Sequence, residues 1–572
     1  MVKSVTGSQA VILSLLEEGI DTIFGYPGGA IMPIYDALYD YQDKITHILT
    51  RHEQGAVHAA EGYAKVSGKA GVCFATSGPG ATNLITGIAD AMIDSVPLVC
   101  ITGQVASPML GTDAFQESDV VGISMPVTKW NYQVTCADEI PEAIAKAFYI
   151  AQSGRPGPVL LDIAKDAQFQ KIDAFCYKKC RKIRSYIPEY PVEPTQTGNI
   201  KSAAAIIDAA QKPMVLLGQG VIQAQAEAEL QAFIEKTGIP AAWTLLGLSA
   251  LPTDHPLNVG MLGMHGNYGP NIKTNEADLL IAIGMRFDDR VTSDVKSYAR
   301  HARIIHLEID PSEINKIVKT DVAVLGNVKK TLPLLTAAVH KNSHDAWLAE
   351  FRACDKIEFD SVISKDLHPA KDGLTMGEVV RMVSEMTHDD AILVTDVGQQ
   401  QMVAARYFRF RRSRSCVTSG GLGTMGYGLP AAIGAQLAAP DRTVVVFVGD
   451  GGFQMTVQEL GTMVQNKLPI KIILLNNNFL GMVRQWQELF FDKRYSFTEL
   501  QNPNFVMIAN GFGMDAHKVS HRDELVEGVR RMLEHDGPYL LDAIVEKEDN
   551  VFPMVPAGAS VSDILLDNSS IK

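Results

Sequence analysis

An α/β protein of three domains, each a mostly parallel sheet flanked by helices, is what this sequence predicts. Length is the first reason: 572 residues exceed what one hydrophobic core organises, so the chain must divide. Alternation is the second. Short β-branched runs are followed again and again by amphipathic helical stretches, the pattern of strand–helix–strand units in a parallel sheet. The third is punctuation: a proline-rich, basic tract and a later polar tract interrupt the alternation.

Taken in order, residues 1–170 form the first expected domain. GVCFATSG (71–78) reads as a buried strand, ATNLITGIADAMID after it as a helix, and PLVCITG and PVLLDIA (158–164) as further strands. Residues 171–195 read as a linker that holds the basic run KKCRKIR (178–184) and the proline-rich stretch 187–197. The middle domain, 196–340, has MVLLGQG, DLLIAIGM and RIIHLEID as its best strands. A second linker is expected at 341–372. In the third domain, 373–550, AILVTDVG, TVVVFVGDG and KIILLNNN are strands, and LPAAIGAQLAA and TVQELGTMVQNKL are helices; 551–572 reads as a tail. No short-period repeat is present, and the first and third domains share only a style.

Composition narrows the function. Apolar residues make up 46% and charged residues 20%, the balance of an ordinary globular protein. A formal charge of −14 argues against nucleic acid and anionic membranes as partners. No window is apolar enough to span a bilayer. The seven cysteines include one close pair, Cys176 and Cys180, without the second pair or histidine set a zinc site needs. Reduced thiols in a cytoplasmic protein is the expectation.

The chemistry concentrates where TVVVFV feeds GDGG and IKIILL feeds NNNF. This is one βαβ unit, so its strands run parallel and finish on one rim, where open α/β sheets bind ligands. Asp450 and Asn477 would emerge there together. A carboxylate, an amide oxygen and a nearby backbone carbonyl are hard oxygen donors of the kind Mg2+ prefers, with phosphate completing its shell. The expected ligand is therefore a metal gripping a diphosphate. Upstream, GGLGTMGYG matches G-x-G-x-x-G, but Asp441 precedes the strand TVVVFV instead of closing it, so a nicotinamide-dinucleotide reading of that motif loses.

GDG followed by NN at this spacing resembles the thiamine-diphosphate enzymes. FGYPGGA, RHEQGAVHAAEGYA, TSGPGATN, GTDAFQES, SGRPGPV, MRFDDRVT, SGGLGTMGYGLPAAIGA and LGMVRQWQ bring the likeness closer. Together they resemble the catalytic subunits of the anabolic, FAD-containing acetohydroxyacid (acetolactate) synthases along nearly the whole chain. The resemblance implies a pyrimidine-binding first domain, an FAD-binding middle domain and a diphosphate-binding third domain. It implies decarboxylation of pyruvate and transfer of the two-carbon unit to pyruvate or 2-oxobutyrate, the entry to branched-chain amino acid synthesis. It also implies a homodimer or homotetramer, because in this superfamily the cofactor lies between two chains, and a separate regulatory subunit.

By the same resemblance, Glu53 is the carboxyl that works on the aminopyrimidine ring of thiamine diphosphate. Asp450, Asn477 and the carbonyl of Phe479 are the metal ligands. Gly398, Gln399, Gln400, Gly423, Met425, Gly449, Gly451, Gly452, Gly481 and Met482 surround the cofactor, with Met425 as its prop. Gln400 stands where members of the family carry histidine, and Gly452 where serine is common. Arg290 would take the acceptor's carboxylate, a task that suits a planar guanidinium. Trp486 would favour the extra methyl of 2-oxobutyrate, and Phe115, Gln116 and Met482 would line the same cavity. FAD would rest on Arg155, His265, Gly266, Gly284, Arg286, Asp289, Glu308 and Asn327, the last replacing a more usual aspartate. With no net redox change in the implied reaction, the flavin's role would be structural. Catabolic acetolactate synthases and pyruvate oxidases are the nearest alternatives; FDDRVT counts against the first, and Gln116, Arg290 and Trp486 against the second.

Overall fold

The computed structural model describes residues 4–184, 186, 194–370 and 372–568. Three six-stranded sheets organise it, one in each region of strand–helix alternation. GVCFA at Gly71–Ala75, PVLLDIA at Pro158–Ala164 and KIILLN at Lys471–Asn476 are buried at every position. A strand covered on both faces belongs in a parallel sheet with helices above and below, and every pairing within the three sheets is parallel.

In the first sheet the spatial order is Thr46–Leu49, Thr22–Gly25, Gly71–Ala75, Leu98–Gln104, Pro158–Ala164 and Trp130–Val134. In the third it is Cys416–Val417, Ile392–Thr395, Val444–Gly449, Lys471–Asn476, Tyr539–Ile544 and Asp515–Val519. Numbering each domain's strands from its own first, both orders read 2-1-3-4-6-5. The two domains thus share a topology, more than the sequence style suggested. The middle sheet, Asn258–Met261, Ala241–Trp243, Pro213–Leu217, Leu279–Ile283, Arg303–Glu308 and Val322–Leu325, reads 3-2-1-4-5-6, the order of dinucleotide-binding folds.

The expected linkers are partly structure. Lys171–Ile172, at the start of the first, pairs antiparallel with Val5–Thr6 and belongs with the first domain. Residues 187–193 of its proline-rich part lie outside the described residues. The tract 341–372 holds the helix Asp345–Glu358, whose Trp347 and Phe351 are buried in the middle domain's core. Its polar composition is that of an outward face; the two aromatics four residues apart were the helical signal. The helix expected after Gly71–Ala75 breaks at Leu84 into Pro79–Asn83 and Ile85–Ile93. In the tail, Phe552 and Met554 are buried against Val362.

First and third domains meet along two helices, Glu53–Ser67 and Gly428–Ala438. Both are rich in alanine and glycine, so their backbones touch: a Cβ at Gly62 would lie 2.0 Å from the Ala431 carbonyl, and one at Gly434 1.8 Å from that of Ala59. A buried polar cluster sits beside the contact. Lys65 pairs with Asp94 at 2.8 Å and lies 5.2 Å from the centre of the Tyr427 ring. His58 Nδ1 meets Glu61 at 3.0 Å, and Ser419 donates to Asp90 at 2.7 Å. Glu61 Oε2 and Asp90 Oδ2 have no donor among the described residues. His58, Glu61 and Asp90 have metal-ligand spacing, and the Lys65 ammonium beside them already supplies positive charge.

Burial lifts Asp90 to about 8 and Glu61 well above the carboxylate range, and pushes His58 down to about 4. A carboxyl whose folded pKa exceeds its unfolded one stabilises the fold fully only below about 4, and that contribution is lost as pH rises through the folded value. Between pH 6.5 and 8.5, above the ordinary titration of His58, the melting temperature should therefore fall. Asp90→Asn, which still accepts from Ser419, should flatten that fall; parallel curves for the two proteins would contradict the assignment. Gly434→Ala should cost about 1–3 kcal/mol by overpacking the helix contact, read as a lower denaturation midpoint than wild type.

Candidate active site

The strands Val444–Gly449 and Lys471–Asn476 are parallel neighbours, with Gly449 opposite Leu475. Their following turns leave the sheet on one edge. A cleft of about 40 Å³ opens there, lined by Gly398, Gln399 and Gln400 after Ile392–Thr395, by Gly449, Asp450, Gly451 and Gly452, by Asn477, Phe479, Gly481 and Met482, and by Met425. It lies where the strand order reverses, the switch point at which such sheets take ligands. Of the residues assigned to thiamine diphosphate and metal, only Gly423 and Glu53 do not line it. Gly423 sits at φ +71° in the loop that carries Met425.

Asp450 and Asn477 are both buried. Burial lifts the Asp450 carboxyl to about 6, opposed by hydrogen bonds from Asn502 and the Gly451 and Asn478 backbone. Asn477 Oδ1 accepts from the Phe479 N–H at 3.1 Å, while its Nδ2 donates to Gln399 at 3.3 Å. Gln399 in turn donates to Gln485 and to the Asp549 carbonyl, at 2.9 Å each. Asp450 and Asn477 bring a carboxylate and an amide oxygen to the cleft lining, hard donors that fit a divalent cation.

Gly452 and Gln400 sit in crowded places: a Cβ at Gly452 would stand 2.3 Å from Asp396 Oδ1, and Gln400 Oε1 would lie 2.5 Å from a Cβ at Gly398 and 3.1 Å from one at Gly449. Asp396 was missed by sequence reasoning because an aspartate after a strand reads as a turn. It accepts from the N–H groups of Val397, Gly426 and Gly428, and so folds the Met425 loop over the cleft.

Glu53 opens its helix on the rim of the first sheet, where it accepts from Asn83 Nδ2 at 2.9 Å. The turn before it is held from the third domain, Glu459 accepting from the Arg51 N–H at 3.0 Å. Gln116 lies nearby, its carbonyl 2.8 Å from where a Gly78 Cβ would be, in a loop whose Phe115 is 88% exposed. None of the described residues before 185 lines the cleft in the third domain.

On the middle sheet Gly218, Gly220 and Gly284 meet at the switch point, Gly220 N–H donating to the Gly284 carbonyl at 2.8 Å; a Cβ at Gly218 would lie 2.1 Å from that oxygen. Glu308 closes its strand on the same edge, accepts from the N–H groups of Ile309 and Asp310, and is lifted to about 7 by burial. Asn327 caps the helix Val328–Ala338. Arg155 reaches over from the first domain to Glu313 at 2.8 Å. Buried His265 is pushed down to about 3, and its Nδ1 has no partner among the described residues; its carbonyl and that of Gly266 accept from Arg406. Arg286 pairs with Asp288 at 3.6 Å. Asp289 points to solvent and pairs with exposed Arg290 at 3.3 Å, while the partly exposed Asp288 accepts from the Arg290 and Val291 N–H groups. Trp486, on the helix Gly481–Phe490, packs against Val362, Phe552 and Met554.

A larger cavity, about 150 Å³, lies where the three domains meet, lined among others by Lys65, Gln219, Leu246 and Arg414. Its cations are already engaged, Lys65 by Asp94 and Arg414 by the Lys65 and Ile222 carbonyls. The smaller cleft holds the convergent chemistry.

Known families match the chain in the same order as its sheets. The description thiamine pyrophosphate enzyme, N-terminal TPP binding domain, fits residues 5–123; the central domain fits 200–335; and the C-terminal TPP binding domain, which contains the cleft, fits 396–543. The acetolactate synthase isozyme 2 large subunit of Escherichia coli is 47% identical over 560 residues, covering 98% of this chain and 99% of that protein. The acetolactate synthase large subunit of Corynebacterium glutamicum is 48% identical over 571 residues, 98% of this chain and 90% of the relative. Acetolactate synthase 2, chloroplastic, of Nicotiana tabacum is 42% identical over 575 residues, 98% and 85% of the two chains. Three domain matches in order and identity of this level along the whole length place the chain in the thiamine pyrophosphate enzymes, as a member of the acetolactate synthase large-subunit family.

Proposed function

We propose that this chain decarboxylates pyruvate with thiamine diphosphate and transfers the two-carbon unit to a second 2-oxo acid. Pyruvate as acceptor yields 2-acetolactate and 2-oxobutyrate yields 2-aceto-2-hydroxybutyrate, the first common step of branched-chain amino acid synthesis. The observation that carries the reading is the convergence of Asp450, Asn477 and Phe479 in one switch-point cleft, on a chain homologous throughout to acetolactate synthases. These oxygens suit Mg2+ holding a diphosphate. When bound, thiamine diphosphate supplies the electron sink.

The chain's own residues position, shield and exchange protons. Glu53, steadied by Asn83, carries the proton exchanged with the aminopyrimidine ring. Met425 props the cofactor, and the glycines Gly398, Gly423, Gly449, Gly451, Gly452 and Gly481 admit it close to backbone. Gln116, Arg290 and Trp486 receive the acceptor, the exposed Arg290 guanidinium meeting its carboxylate. FAD fits the middle crevice, where Gly218, Gly220 and Gly284 leave backbone approachable and Glu308 stands where an acid binds ribose hydroxyls; its role there is structural.

A cleft of about 40 Å³ holds only a few water-sized groups, so the cofactor's rings need a second wall. The rim carrying Glu53, Gln116 and exposed Phe115 supplies it from another copy, which makes the enzyme a homodimer or homotetramer. Relatives named large subunits support a separate regulatory small subunit. A cytoplasmic location accords with seven unpaired cysteines; among the described residues no helix is long and apolar enough to cross a membrane.

Competition between pyruvate and 2-oxobutyrate tests the reading. Both products should form, whereas acetate or acetaldehyde alone would overturn it. Trp486→Leu should lower the share of 2-aceto-2-hydroxybutyrate, by up to the roughly 10–200-fold that one methyl group is worth in an apolar pocket; an unchanged ratio places Trp486 outside the pocket. Glu53→Gln should retain cofactor yet turn over about a hundredfold or more slowly, and near-normal turnover removes Glu53 from the chemistry.

A further inference from the structure

One residue outside the assigned set touches both turns of the oxygen-donor cleft. Asn502 lies half-buried between the helices Gly481–Phe490 and Phe505–Gly511. Its side-chain NH2 faces three oxygens: Asp450 Oδ2 at 2.7 Å, Asn476 Oδ1 at 3.1 Å and Asn478 Oδ1 at 3.1 Å. The first follows the strand Val444–Gly449; the other two close and follow Lys471–Asn476. Its own carbonyl oxygen accepts from Gln454 at 3.1 Å, which settles the orientation of the amide. The segment is anchored close by, since Leu500 N–H donates to the Asn478 carbonyl at 2.9 Å and Leu480 N–H to that of Thr498 at 2.8 Å. Asn478 itself sits at φ +57°, a conformation that needs outside support.

We propose that Asn502 is the positioning residue of the cation grip, tying the Asp450 carboxylate to the Asn477 turn at one separation so that their oxygens meet the ion without rearrangement. The proposal rests on the reading of Asp450, Asn477 and Phe479 as metal ligands. Magnesium tolerates little departure from an octahedron, so the separation and rotation of two donors on different turns matter to affinity. Without the amide, the Gly451 and Asn478 N–H groups still bond Asp450, the second of them from the Asn477 turn, but Oδ2 loses its link to the Asn476 and Asn478 side chains. Asparagine is suited to the place because all three neighbours it donates to are acceptors; aspartate of the same shape would set a fourth oxygen against them.

The test uses the full-length protein, dialysed free of metal, with thiamine diphosphate present and Mn2+ as the paramagnetic probe. Free Mn2+ is titrated for wild type, Asn502→Ala, Asn502→Asp and Asp450→Asn. Both Asn502 variants should bind Mn2+ about 10–100-fold more weakly, the usual consequence of losing a hydrogen bond to a metal ligand. Their cofactor-free melting should match wild type, and saturating Mg2+ should return turnover to near the wild-type value. Wild-type Mn2+ affinity in Asn502→Asp, or turnover that stays lost at saturating Mg2+, overturns the positioning role. If Asp450→Asn alone binds weakly, only the Asn502 role falls; if Asp450→Asn binds Mn2+ like wild type, the metal-ligand reading falls with it.

Discussion

Burial of strands on both faces is the constraint from which the rest follows. KIILLN and its neighbour VVVFVG leave almost no side chain to solvent, so they can exist only inside a parallel sheet clothed by helices. Parallel neighbours finish on one edge. That is why residues far apart in sequence, Asp450 and Asn477, arrive at one cleft, and why glycines collect where the turns crowd it. The same rule places Gly284 and Glu308 on one edge of the middle sheet, and the Glu53 turn on the rim of the first.

A second constraint sets the domains against one another. Alanine and glycine on the Glu53 and Gly428 helices allow backbone contact, closer than larger side chains permit. At that distance the polar groups between them are shut off from solvent and pair with one another: Lys65 with Asp94, His58 with Glu61. The Glu53 turn lines none of the cleft in the third domain of its own chain.

First and third domains share the strand order 2-1-3-4-6-5 without a detectable repeat in sequence. Topology depends on the apolar pattern and on the handedness of the crossovers, and both survive replacement of nearly every residue. What differs is the chemistry on the rim: a glutamate beside Asn83 in one domain, an oxygen-donor cluster in the other.

Fold class, the three sheets and the oxygen-donor pair were legible in the sequence, because periodicity, β-branching and glycine-bounded turns are local and strong signals. The helix Asp345–Glu358 was not, since its apolar residues are sparse and its outward face dominates the composition. Nor was the role of Asp396 or Asn502. An aspartate or asparagine in a loop looks alike whether it faces solvent or bonds a neighbouring turn, and only the folded chain brings the Gly426 and Gly428 amides to one and the Asp450 carboxylate to the other. It likewise took tertiary structure to turn Asp289 outward while Asp288 caps the short helix that follows it. Identity and spacing along the chain determined which chemistry this protein can hold; contact between distant segments decided which groups are aimed, paired or left to water, because burial and hydrogen bonding are properties of neighbours in space.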